Sequence, residues 1–259
     1  MLVRTLISCL SAVALLAVVP AKSADINQCS MVADGRANII AFDTQLPDGR
    51  PVTLKGILAG PSGEGPFPAV VMLPGGGSLY TPYCFAFWVK RFVSWGYVTV
   101  TVASSTAHDA GGNRLYEYSF LDQAMHALGA ASFLATMSNV ERTRIGVWGF
   151  SSGGLTAIEL ASSAQEGGSA FKAVVAAAPH CPSSAVTPHT PLLVLIGADD
   201  GIVAVDACVD YATQLEHAIG FEFLMMKDAK HVFWTDGPAA VLSAETMRAF
   251  FGKHLQPLQ

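Results

Sequence analysis

A serine between glycines is the first candidate for chemistry. The segment 149–153, Gly-Phe-Ser-Ser-Gly, follows an apolar run that ends at Trp148 and precedes an amphipathic segment. In some hydrolases, a G-x-S-x-G segment forms a tight turn between a strand and a helix and presents its serine as a nucleophile. In this chain that serine would be Ser151. A Gly- and Ser-rich chain produces this pentapeptide by chance often enough that it is only a hypothesis alone. Ser151 could instead be an ordinary N-cap of the helix that follows.

A histidine and two aspartates follow other apolar runs. His231 comes after the run 221–226, and Asp199 and Asp200 come after the run 192–196. A serine hydroxyl needs a base, which His231 could supply, and a carboxylate must hold the imidazole in the correct tautomer. The sequence favours Asp200 and leaves Asp199 open. The alternatives are that both aspartates are turn residues, since Gly-Ala-Asp-Asp-Gly suits a turn, and that His231 is a structural loop histidine.

A run of glycines could stabilise the negative charge that acyl transfer develops. Pro74-Gly-Gly-Gly-Ser78 follows the apolar run 68–73. A tetrahedral oxyanion requires preorganised donors, often backbone N–H groups. The N–H of Ser152 and one N–H from Gly75–Gly77 are the candidates.

The elements that must position these residues alternate along the chain. Apolar runs predict strands, and apolar residues at helical spacing predict helices between them. This alternation predicts an α/β fold with a mostly parallel, doubly wound sheet flanked by helices, in which functional residues lie at the carboxyl ends of strands. The predicted strands are 37–42 and 52–58 (a hairpin), 68–73, 97–103, 145–150, 173–178, 192–196 and 221–226. The predicted helices are 83–95, 116–137, a helix after Ser151 that ends near 163, 203–218 and 238–255, and 104–114 is predicted to be a polar loop.

The first 23 residues have the pattern of a secretory signal peptide. A positive start is followed by an apolar run from Leu6 to Val19 and a small-residue site before Ala24, although a short membrane tether is the alternative. Residues 24–259 are predicted to form one domain, since 51% of the 259 residues are hydrophobic. Without residues 1–23, 13 basic residues face 20 acidic ones, a net charge of −7 with no basic cluster. This charge argues against nucleic acid and anionic membrane as partners.

Export changes the interpretation of the cysteines. Cys29, Cys84, Cys181 and Cys208 follow the signal segment. In a periplasmic or secreted protein, an even number suggests two disulfides with three possible connectivities, and the alternative is buried thiols. The spacing does not resemble a zinc site, so no metal is implied.

Taken together, the three motifs resemble those of the dienelactone hydrolase family of α/β-hydrolases. They are Gly-Phe-Ser-Ser-Gly-Gly, Gly-Ala-Asp-Asp-Gly-Ile-Val and Asp-Ala-Lys-His-Val-Phe, in the order Ser, Asp, His that this fold uses. The founding members carry a cysteine nucleophile, so the resemblance is to exported serine members. It implies Asp200 as the acid and a disulfide between Cys181 and Cys208. Cys29 and Cys84 would then be the remaining pair. The relatives usually begin the glycine turn with His-Gly where this chain has Pro-Gly, so the donor among Gly75–Gly77 stays open, and Gly76 is the preferred candidate.

The predicted function is hydrolysis of a small carboxylic ester, lactone or thioester by Ser151, Asp200 and His231, without metal or organic cofactor. A peptidase of the oligopeptidase type and a non-catalytic binding protein on the same scaffold are the alternatives. Arg114 could bind a substrate carboxylate or be a solvated loop charge. Four aromatic residues beside the motifs could line an acyl pocket or pack in the core: Trp148, Phe150, Phe233 and Trp234.

Overall fold

The computed structural model describes residues 30–33, 35–77, 85–113, 119–163, 170–234 and 237–255. Eight strands form one sheet in the order β1-β2-β4-β3-β5-β6-β7-β8. The pairs β1–β2 and β2–β4 are antiparallel, and the five other pairs are parallel, which confirms the predicted sheet. The strands are β1 (Asn38–Gln45), β2 (Pro51–Ala59), β3 (Phe67–Leu73), β4 (Val98–Asp109), β5 (Val140–Phe150), β6 (Val174–Ala177), β7 (Leu192–Gly197) and β8 (Phe221–Met226).

Helices cover both faces of this sheet. They are the single turn α1 (Ser30–Ala33), then α2 (Ala86–Ser94), α3 (Phe120–Ala135), α4 (Ser152–Ser162), α5 (Val205–Gln214) and α6 (Gly237–Leu255). Successive residues of a strand point to opposite faces. Accordingly, Val70 and Met72 of β3 pack in the core beneath α2 and α6, and Val71 packs in the core beneath α3, α4 and α5. Burial on both faces explains why the parallel strands read as continuous apolar runs.

The predicted polar loop at 104–114 is wrong over its first half, because β4 continues to Asp109. The pairing with β2 shifts register between Thr53 and Lys55, and then resumes between Thr53 and His108. At this shift the Thr106 hydroxyl accepts the Lys55 N–H at 2.8 Å. The Thr106 side chain therefore satisfies a backbone N–H that the strand pairing leaves without a partner. Because this part of β4 is polar, its sequence resembles that of a loop.

The helix predicted from 116 begins at Phe120 because a capping box precedes it. The Ser119 hydroxyl accepts the Asp122 N–H, and the Asp122 carboxylate accepts the Ser119 N–H at 2.7 Å. This reciprocal pair satisfies two N–H groups that a helix start leaves without partners.

Among the described residues, no helix is long and apolar enough to cross a bilayer. The signal segment, Arg114, Cys29 and Cys84 lie outside the described residues.

Candidate active site

The turn between β5 and α4 holds Ser151 in a strained conformation. Ser151 has φ 56° and ψ −118°, and its N–H donates to the Ala177 carbonyl at 2.9 Å. The flanking glycines are required by close packing. A Cβ on Gly149 would overlap the Gly153 carbonyl, and a Cβ on Gly153 would overlap the Leu73 carbonyl. Strand and helix can therefore approach closely enough to present the serine at the carboxyl edge of the sheet.

The structure places Asp200, and not Asp199, against His231. The Asp200 Oδ2 accepts the His231 Nδ1–H at 2.7 Å, and the Asp200 side chain is fully buried. Its Oδ1 accepts the N–H groups of Ile202 at 2.8 Å and Val203 at 3.1 Å. Three donors thus fix one buried carboxylate, whereas Asp199 is exposed. With Nδ1 donating, Nε2 is left as the basic nitrogen of a neutral imidazole.

The loops that carry Asp200 and His231 are joined through their backbones. The Asp199 N–H donates to the Ala229 carbonyl at 2.9 Å. A Cβ on Gly197 would overlap that same carbonyl, so glycine is needed where the two loops meet. The imidazole of His231 lies 4.9 Å from the ring of Phe150, the residue before Ser151. Histidine and serine are therefore neighbours at the same edge of the sheet.

The glycine turn after β3 lies beside the serine. A Cβ on Gly75 would stand 2.8 Å from the Ser151 Cβ. Gly76 has φ 60°, and its N–H donates to the Ser152 hydroxyl oxygen at 2.6 Å. Ser152 is the first residue of α4, so no helical carbonyl precedes it to accept its N–H. Both predicted oxyanion donors thus lie at the junction of the turn and the helix.

A buried glutamine that the sequence analysis missed connects this turn to two helices. Gln123 of α3 is 2% exposed, and its amide donates to the Pro74 carbonyl at 3.2 Å. Its amide oxygen accepts the Thr156 hydroxyl at 2.8 Å, and Thr156 lies in α4. The hydroxyl also lies 3.3 Å from the Ser152 carbonyl. We call Gln123 and Thr156 the amide brace. No local pattern could have identified it, because its partners are far apart in the chain.

The aromatic residues beside the motifs pack in the core. Trp148 is fully buried, and Phe150, Phe233 and Trp234 are each less than a tenth exposed. The Phe150 and Trp234 rings meet edge to face with centroids 4.5 Å apart, and Phe150 also contacts the His231 imidazole. We call these four side chains the aromatic layer, and the imidazole packs against it.

A disulfide lies behind the acid loop. Cys181, after β6, is joined to Cys208 of α5, with Cα atoms 5.0 Å apart. This is the pair that the resemblance implied. Cys208 packs with Ile196 and Val203, next to the loop that holds Asp200. The bond therefore ties the acid loop to the segment that follows β6.

No group of three or more His, Cys, Asp or Glu side chains in the described ranges could hold a metal ion. The strained serine, the oriented imidazole, the buried carboxylate and the backbone donors together form an arrangement that is suited to nucleophilic acyl transfer.

Comparison with known proteins finds similarity to ester-hydrolysing enzymes. Lipase 1 of Moraxella sp. (strain TA144) is 29% identical over 143 residues, which are 54% of this chain and 41% of the lipase. The chain thus spans about two-fifths of the length of this curated relative.

Among solved structures, dienelactone hydrolase from Anabaena variabilis has a TM-score of 0.62 and 20% identity, over 85% of this chain and 100% of that chain. An esterase of Pyrococcus furiosus has a TM-score of 0.64 and 19% identity, over 86% of this chain and 96% of that chain. These similarities confirm the α/β-hydrolase fold.

Residues 59–252, from the end of β2 into α6, match the PETase family model, described as PET hydrolase-like. Because this match covers most of the sequence, the chain belongs to the PET hydrolase-like family of α/β-hydrolases.

Proposed function

We propose that the protein hydrolyses carboxylic esters, lactones or thioesters of small molecules through an acyl-enzyme on Ser151. The observation that carries the proposal is the contact between the buried Asp200 carboxylate and His231, beside a serine at φ 56°. A buried carboxylate on Nδ1 leaves Nε2 to accept a proton, which is the state that a serine nucleophile requires. Membership of the PET hydrolase-like family supports the same class of reaction.

In the proposed reaction, the Ser151 Oγ attacks the carbonyl carbon of the ester while its proton passes to the His231 Nε2. The imidazolium, stabilised by Asp200, returns this proton to the leaving alkoxide or thiolate. Water then attacks the acyl carbon with the same imidazole as base, the bond to the Ser151 Oγ breaks as the imidazolium returns the proton to that oxygen, and the carboxylic acid leaves. Every proton that His231 accepts is thus released within one turnover.

The oxyanion of each tetrahedral intermediate needs donors that are already in place. The Ser152 N–H is proposed as one donor, because it begins α4 next to the nucleophile. Gly76 is proposed as the second contributor, because its N–H is directed at Ser152 from the facing turn.

The test compares the wild-type protein with Ser151→Ala. Wild-type protein should hydrolyse short-chain p-nitrophenyl esters and react covalently with a fluorophosphonate probe, and Ser151→Ala should do neither. Ser163→Ala is the matched control, because Ser163 is exposed at the far end of α4 and its hydroxyl only donates to the Glu159 carbonyl. Labelling that persists in Ser151→Ala would refute the nucleophile. No turnover by the wild type would favour a binding protein.

The substrate range is tested with the same protein. The assay compares hydrolysis of an acyl thioester, a lactone and a PET film with hydrolysis of a peptide p-nitroanilide. The PET film is included because the family is described as PET hydrolase-like. Ester turnover without anilide turnover supports the proposal. Faster cleavage of the anilide would favour the peptidase alternative.

We also propose that the mature chain, residues 24–259, forms one domain in the periplasm or outside the cell. The disulfide between Cys181 and Cys208 supports an oxidising compartment. Cell fractionation with sequencing of the mature N-terminus tests this location. A cytoplasmic protein that retains residues 1–23 would contradict it.

A further inference from the structure

The side chain of Ser152 occupies an unusual position for the residue after a nucleophile. Its hydroxyl oxygen accepts the Gly76 N–H at 2.6 Å, which is shorter than the usual 2.9–3.0 Å of an amide donor. Helix α4 fixes its backbone, and the left-handed conformation of Gly76 directs the N–H from the facing turn. The hydroxyl therefore lies between the two groups that are proposed to contribute to the oxyanion site.

This contact uses an oxygen lone pair and leaves the hydroxyl proton available. A serine hydroxyl has one O–H donor and two acceptor lone pairs. Within the described part of the chain, no hydrogen bond donated by the Ser152 hydroxyl is seen. An O–H group whose oxygen accepts a short N–H bond is polarised, and it donates more strongly to an anion. The residue is half-buried, so a bound ester can reach it.

We propose that the Ser152 hydroxyl donates directly to the oxyanion, next to the Ser152 N–H, and that the Gly76 N–H contributes through the hydroxyl. This inference rests on the proposed function. When the Ser151 Oγ bonds to the carbonyl carbon, the electrons of the carbonyl π bond move to the oxygen, and the serine proton passes to His231. The oxygen then accepts from the Ser152 N–H and from the Ser152 O–H, while the Gly76 N–H stays on the Ser152 oxygen. Ser152 would thus be a catalytic residue through both its backbone and its side chain.

The opposite arrangement has a distinct consequence. If the hydroxyl only occupies the place of the oxyanion, it must rotate away before each reaction, and its removal would then release the Gly76 N–H and speed catalysis. A donor and an obstruction therefore change the rate in opposite directions when the hydroxyl is deleted.

The experiment measures kcat and KM for p-nitrophenyl butyrate in wild type, Ser152→Ala and Ser152→Thr. Loss of an oxyanion donor lowers kcat by about 10²-fold while substrate binding hardly changes, so Ser152→Ala should lose about this factor with a similar KM. Ser152→Thr keeps the hydroxyl and should retain most of the activity. A trifluoromethyl ketone that adds to Ser151 forms an oxyanion, so its affinity should fall by the same factor as kcat/KM.

An unchanged or higher kcat in a folded Ser152→Ala overturns the inference. So does Ser152→Thr with the same loss as Ser152→Ala, because a retained hydroxyl should retain the donor. Both results leave the proposed function standing if Ser151→Ala is inactive. A wild-type protein that turns over no ester overturns the proposed function together with the inference. Circular dichroism and thermal melting show that each variant is folded, with Ser163→Ala as the matched control.

Discussion

Replacing Asp200 by asparagine changes the tautomer of His231 and little else. The two backbone N–H groups of Ile202 and Val203 point at Oδ1, so the amide oxygen of asparagine should take that place. The amide NH2 would then face the His231 Nδ1, where Oδ2 now accepts. Two donors cannot share this contact, so Nδ1 must become the acceptor and Nε2 must carry the proton. An imidazole with a protonated Nε2 cannot accept the proton of Ser151.

The expected loss is about 10⁴-fold in kcat, as for other serine hydrolases whose acid becomes an amide. At about 1.36 kcal/mol for each factor of ten, this is about 5 kcal/mol of transition-state stabilisation. The free energy of unfolding should change far less, because the two backbone hydrogen bonds are kept.

Asp199→Asn is the matched control. Asp199 is adjacent in sequence and exposed, and its only described backbone bond, from its N–H to the Ala229 carbonyl, is unaffected by the substitution. Its kcat for p-nitrophenyl butyrate should equal that of the wild type. The assignment would be refuted if Asp200→Asn kept more than about a tenth of the wild-type kcat, where a loss of about 10⁴-fold is expected. An equal loss in both variants would refute it as well.

Three further predictions follow from buried groups. Gln123→Leu leaves the Pro74 carbonyl without the donor that Gln123 supplies, so the free energy of unfolding in urea should fall by about 1–3 kcal/mol. The kcat should also fall at a similar KM, and unchanged values of both would contradict the role of the amide brace. Burial lowers the pKa of His126 to about 4, against a smaller opposing effect of a nearby carboxylate. As pH falls from about 6.5 to 4, the unfolded chain therefore takes up a proton at this position before the folded chain does, and stability is lost. Urea unfolding at pH 7 and pH 4.5 should show a loss that is smaller by about 2.5 kcal/mol in His126→Gln than in the wild type, and equal losses would contradict this. Replacing Cys181 and Cys208 by serine opens a loop with a sequence separation of 27. The free energy of unfolding should fall by about 3.5 kcal/mol, and Tm by about 10 °C. Equal Tm values of the reduced and the oxidised wild-type protein would contradict this.

The strands could be predicted because burial on both faces imposes a local signal. Each of the eight predicted strands overlaps an observed strand, and the differences lie at the ends. The largest difference is in β4, whose polar extension to Asp109 depends on a register shift opposite Lys55. A bulge of this kind is fixed by the partner strand, so the sequence of β4 alone does not contain it. The start of α3 was predicted at 116, four residues too early, although Ser119 and Asp122 have the spacing of a capping box that marks the observed start at Phe120.

The positions of the site residues could be predicted, but their contacts could not. Ser151, Asp200 and His231 follow strands whose carboxyl ends meet at one edge, so topology alone brings their loops together. The sequence favoured Asp200 but left Asp199 open, because both aspartates suit a turn, and the structure shows that Asp200 is the one in contact with His231. The bond between Gly76 and Ser152 joins positions 76 residues apart, and the amide brace joins positions 33 apart. Ordinary side chains at such separations carry no local pattern.

The aromatic layer beneath His231 also determines how the protein interacts with ultraviolet light. All four tryptophans of the chain lie in one cluster, with Trp88 within 6.5 Å of the other three ring centroids: Trp95, Trp148 and Trp234. At such separations, excitation absorbed by any indole migrates to its neighbours. The indoles of Trp88 and Trp148 are fully buried, which favours short-wavelength emission. Because Trp234 contacts Phe150, the tryptophan fluorescence of the protein originates on one side of the sheet, one ring away from the imidazole.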